Sequence, residues 1–132
     1  LLASMASAYE KGEPWLGYYW SPTWPLGKYD LTPIEEPAYD EAVWNDNYGC
    51  AYPNVETHIV ANSSLPDKAP EVVEFLESWD STAAQANDFL AFMEETGGTT
   101  EEAAIYFLTE HESVWTEWVP TDIADDVKAA LP

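Results

Sequence analysis

Residues 17 to 24 read GYYWSPTW and place Tyr18, Tyr19, Trp20 and Trp24 within eight positions. Pro22 stands between the two tryptophans and Pro25 follows the second. Proline fixes its own φ and biases its predecessor toward extended backbone, so these rings sit at the end of an extended run on a stiff turn. Two chemistries suit them. They can fill a core, because each ring buries a large apolar area. Alternatively, their electron-rich faces can hold a quaternary ammonium, which has no N–H to donate and is met only by ring faces and carboxylates. Each such contact contributes about 0.5–2 kcal/mol. Composition leaves both open: the chain holds seven Trp and eight Tyr. Trp79, Trp115 and Trp118 fall on helix faces and read as core, whereas Trp44, Tyr48 and Tyr52 decorate a loop-rich region.

Catalysis finds no support. His58 and His111 are far apart, with no metal-type spacing. His111, in EHE, reads as solvated helix surface, and His58 as a satisfied structural residue of a strand. No G-x-S-x-G, glycine-rich phosphate loop or H-E-x-x-H occurs. Carboxylates are so abundant that no pair stands out as an acid/base dyad. Cys50 is the one cysteine, so it forms no internal disulfide; without a neighbouring His to raise a thiolate, it reads as a small buried residue. No catalytic residue, metal ligand or cofactor is expected.

Charge narrows the partners. Against 25 acidic residues stand only Lys11, Lys28, Lys68 and Lys128, giving a net charge of −21. Phosphate backbones and anionic membranes need cationic partners, so nucleic acid and acidic lipid are excluded as ligands. Spread along the whole chain, the acids read chiefly as solvated surface, with a field that would also draw in a cation. No apolar run approaches membrane-spanning length, and no charged leader with a long apolar run opens the sequence.

The elements that must position the rings follow from punctuation. Residues 1 to 12 read as a helix cut in mid-element, ended by Gly12 and Pro14, which suggests a piece of a longer chain. WLGYYW, residues 15 to 20, reads as a buried strand. Residues 21 to 54 hold five of the ten prolines and read as loops. VETHIVANSSL, 55 to 65, reads as a second strand running into a loop. From Pro66 on the pattern is helical: Pro70 suits a first turn, Ser81 or Thr82 caps a helix closed by Gly97 and Gly98, Thr99 with Glu102 makes a capping-box spacing, and Thr121 caps the last helix. The expected class is α/β, with few strands followed by a helical C-terminal half.

YYWSPTWPLGKYDL (18 to 31), NYGCAYPNVETHIVANSSL (47 to 65) and EEAAIYFLTEHESVWTEWV (101 to 119) together resemble the substrate-binding proteins of glycine betaine and choline ABC importers. That resemblance implies a type II periplasmic-binding-protein fold of two α/β lobes with the ligand shut between them in an aromatic box. It implies that this chain is the C-terminal portion: 1–56 part of the second lobe, 57–62 a crossover strand, 63–132 the terminal helices. It makes Trp20 one wall of the box, with Tyr19, Thr23 and Trp24 as further ligand-binding candidates. Thr23 stands where one subgroup carries His and another Tyr, and keeps only a hydroxyl donor, so choline, carnitine or trimethylamine oxide suit it as well as betaine does. Strand alternation separates Tyr18 and Trp20 from Tyr19, which makes Tyr18 a packing residue. The implied partner is a membrane ABC permease and the implied location periplasmic, or extracytoplasmic and membrane-associated.

Two other readings compete. A carbohydrate-binding or other aromatic-platform module would stack its rings on neutral sugars and ignore tetramethylammonium. An autonomous acidic interaction domain would need Trp20 for folding rather than binding. Because a box shared by two lobes gives half its contacts to one, residues 1 to 132 alone are expected to bind weakly or not at all, so that a millimolar or tighter affinity would overturn that expectation. Uncovered apolar surface makes self-association of the segment plausible.

Overall fold

A computed structural model describes residues 1–132. The chain is all helical: α1 (Leu2–Lys11), α2 (Trp24–Lys28), α3 (Glu41–Asn47), α4 (Leu65–Lys68), α5 (Pro70–Ser78), α6 (Ala83–Thr96), α7 (Thr100–Glu110), α8 (Glu112–Trp115) and α9 (Thr121–Ala130). The punctuation acts as its chemistry dictates. Gly12 and Gly97 end α1 and α6 in the left-handed region, at φ 67 and 68°, where a side chain is penalised. Pro70 opens α5, where its missing N–H costs nothing. Thr82 with Gln85, and Thr99 with Glu102, form reciprocal capping boxes. The hydrogen bonds from Thr99 hold the Glu102 carboxyl below its ordinary value. Thr121 is instead the first residue of α9, with Pro120 at the cap. Replacing Thr82 by Ala frees the Gln85 N–H it now accepts at 3.2 Å and is expected to lower stability by about 1 kcal/mol, read by urea titration.

The α/β expectation is wrong. Neither residues 15–20 nor 55–65 form a strand, and the same holds for the crossover strand expected at 57–62. The reason is pairing. A strand exists only where its N–H and C=O groups meet another strand, and no backbone hydrogen bond joins these two segments. Pro14 and Pro22 bracket the first segment. In the second, Val55 and Val60 are 80% and 89% exposed, so β-propensity has no surface to fit against. Residues 15–20 and 55–62 carry no regular secondary structure, and the second segment turns at 63–64 into α4.

Packing centres on α6. One stripe of that helix, Asn87, Ala91 and Glu95, seats α2: Pro25 is fully buried, and Lys28 Nζ lies 3.6 Å from Glu95. Gly27 makes this approach possible, because a Cβ there would run into the Asn87 carbonyl and come within 2.9 Å of the Ala91 Cβ. On the α7 side, Phe92 stacks on Tyr106 at 4.4 Å and Phe89 meets Phe107 edge-on at 5.1 Å. His111 is not solvated surface. Its Nε2 lies 2.9 Å from Asp88 Oδ2 and its ring 5.1 Å from Phe107, because the chain turns back over the α6–α7 seam where α7 ends. Tyr106 donates to the same carboxylate at 3.1 Å, and burial, then Asp88, raise its phenol above the ordinary value. Trp115 is buried and Trp118 stacks on Phe107, whereas Trp79 keeps 45% of its surface exposed. Only eight residues are buried, few for this length, and much apolar surface faces outward.

Candidate functional site

The turn that carries Trp20 is fixed from α6. Asn87 Oδ1 accepts the Thr23 N–H at 2.7 Å and the Ser21 hydroxyl at 3.3 Å. The Thr23 hydroxyl donates back to the Trp20 carbonyl at 2.9 Å, so it serves the turn. Above this brace Tyr19 lies parallel to Trp20, with centroids 4.9 Å apart and planes 12° off. Trp20 remains 53% exposed. It is neither sealed nor packed all round.

Trp24 leaves this group. As the first residue of α2 it sits 6.1 Å from Tyr29, with Lys28 Nζ 5.9 Å over its ring. That ring already faces a cation of the chain itself. Of the four residues singled out in the sequence, Trp20 and Tyr19 therefore meet, Thr23 braces them through its backbone and hydroxyl, and Trp24 joins a separate cluster with Tyr29 and Tyr9. Since residues 15–20 are no strand, alternation does not separate the tyrosines: Tyr18 also lies 6.3 Å from Trp20.

Tyr18 leads to rings that sequence reasoning left as loop decoration. It meets Tyr52 at 5.5 Å, Tyr52 meets Trp44 at 5.0 Å, and Trp44 meets Tyr48 at 5.0 Å. With Glu36 and buried Cys50 these residues line an open concavity of about 540 Å³. The loop is cinched to form it. Asp40 caps α3 by accepting the Val43 N–H at 3.0 Å, and Tyr48 ends the helix in the left-handed region at φ 57°. The Ala51 N–H donates to the Pro37 carbonyl at 2.8 Å, drawing the two ends of the loop together. Cys50 is a buried small residue, as expected, with its thiol 3.6 Å from the Asp40 carbonyl. The signal for this group was in the sequence: Trp44, Tyr48 and Tyr52 recur at every fourth position.

A second hollow of about 300 Å³ is lined by Ile59, Leu65, Val73 and Leu76 among others. Asn62, Ser63 and Glu77 line it beside the aliphatic residues, but no aromatic ring does, so it offers a permanent cation no ring face. His58 lies exposed on the irregular stretch that leads to it, not on a strand. No cluster of His, Cys, Asp and Glu is arranged to hold a metal ion, and no helix is long and apolar enough to cross a membrane.

Residues 1–110 match a protein family described as the substrate binding domain of ABC-type glycine betaine transport systems. No curated protein and no solved structure matches the chain.

Proposed function

The chain belongs to the family of substrate-binding domains of ABC-type glycine betaine transport systems, and on that premise we propose that it takes up a quaternary ammonium osmolyte for an importer through an aromatic site that includes Trp20. Family membership makes it a solute-binding component of a transport system rather than an enzyme, with a small ligand and an ABC permease as its partners. Work outside the cytoplasmic membrane, periplasmic or tethered to its outer side, follows from that role. The observation that carries the ligand reading is the half-exposed Trp20 ring backed by Tyr19 on a turn braced from α6. A ring backed by Tyr19, flanked by Tyr18 and still half exposed is preorganised for a methylated cation, and little side-chain entropy is lost when the guest arrives. We further propose that the chain is one part of a longer two-lobe protein, which its large exposed apolar surface supports.

Titration of the chain with glycine betaine, choline and trimethylamine oxide, followed by tryptophan fluorescence, tests the reading. Weak but saturable quenching by at least one of them is expected, with none from neutral sugars. Trp20→Ala should weaken that binding by about two- to thirtyfold, the equivalent of ~0.5–2 kcal/mol for one ring face, while circular dichroism stays unchanged. Quenching by sugars in place of the methylated compounds would favour a carbohydrate platform, and unfolding of the variant would make Trp20 a core residue.

A further inference from the structure

We propose that the concavity walled by Tyr18, Trp44, Tyr48 and Tyr52, with Glu36 at its edge, is a seat for a permanently charged N-methylated ammonium head group. The inference rests on the solute-binding reading for the ligand's class but assigns residues, and a counter-ion, outside the Trp20–Tyr19 platform.

The geometry argues against the alternatives. A core would hide its rings, yet Tyr18, Tyr48 and Tyr52 are each more than half exposed. A sugar platform would spread rings in one plane. Here Trp44 stands at 88° to Tyr48 and 60° to Tyr52, so the rings make walls around a hollow. Its volume of about 540 Å³ suits a small molecule. The charge also points one way. Glu36 is the single charged residue lining the hollow, and it is acidic. The whole chain carries −21, so the surrounding field favours a cation and repels an anion. A guest without N–H groups loses no hydrogen bond on leaving water, and ring faces with one carboxylate are the partners it can use.

The test uses the full chain with isotope-labelled tryptophan and tetramethylammonium as the probe, raised well above millimolar concentration. Neopentanol, of similar shape but uncharged, is the control. The Trp44 indole resonance should shift saturably with tetramethylammonium and not with neopentanol. Glu36→Gln, at an exposed position, should weaken that binding about two- to fivefold, which is what one solvated carboxylate adds. Tyr52→Leu, which removes a wall and keeps the Trp44 reporter, should abolish the shift; if that variant fails to fold, Glu36→Gln alone decides. A Trp44 signal that stays still while Trp20 moves would overturn the seat and spare the importer reading. Equal response to neopentanol, or an unchanged affinity in Glu36→Gln, would also overturn it. A seat that takes tetramethylammonium in a chain that ignores betaine, choline and trimethylamine oxide would instead sink the importer reading alone.

Discussion

Trp115→Ala is expected to remove most of the chain's folding stability at room temperature. Trp115 is 3% exposed and is the one aromatic residue that is fully enclosed; the other buried residues are Met5, Pro25, Cys50 and four alanines. Its indole N–H donates to the Leu108 carbonyl at 2.7 Å, tying α8 back to α7. Truncating a buried tryptophan costs about 3–5 kcal/mol through lost transfer energy and the cavity left behind. Small domains hold roughly 5–15 kcal/mol in total, and one with so few buried residues belongs at the low end. Trp115→Phe restores most of the volume but not the donor, so it should recover part of the loss. Urea titration followed by far-ultraviolet circular dichroism measures both. A loss below about 1 kcal/mol in the alanine variant would mean that α7 and α8 are not joined through this ring.

The helices outside residues 21–54 were legible because their signals are local, whereas α2 and α3 fall in the stretch read as loops. Gly12, Pro70, Thr82, Gly97 and the Thr99–Glu102 spacing each act within a turn of their own position, and each does so in the structure. The strands were misread because strand formation is not local. WLGYYW has the composition of a buried strand, but with no partner it forms no strand and leaves Trp20 half exposed. The same failure hid part of the candidate site. Alternation along an imagined strand sent Tyr18 to packing, whereas the loop from Glu36 to Tyr52 folds back and meets it. That closure depends on one backbone bond between residues 51 and 37 and on a left-handed Tyr48, neither of which residue types announce. His111 went the same way: EHE is polar in sequence, and only the fold supplies Asp88 from another helix.

Gly27→Ala sets two effects against each other, and their sizes decide the sign. Inside a helix, alanine is favoured over glycine by about 1 kcal/mol. At Gly27, however, the added methyl meets the Asn87 carbonyl and the Ala91 side chain, so α2 has to lift from α6. Overpacking of this kind costs about 1–3 kcal/mol, and because the obstacle is backbone it cannot rotate away. A net loss of stability is expected. The loss should also reach the candidate site, because Asn87 is the residue whose side chain holds Thr23 and Ser21 beneath Trp20. Gly12→Ala is the matching control: it meets nothing within 4 Å, so any cost there comes from its φ of 67° alone and should leave the Trp20 environment untouched. Denaturant titration, read beside the Trp20 indole resonance in both variants, separates the cases. If Gly27→Ala stabilised the chain, the docking of α2 on α6 would be wrong. A destabilised Gly27→Ala with an unmoved Trp20 signal would show that the brace from Asn87 does not orient the ring.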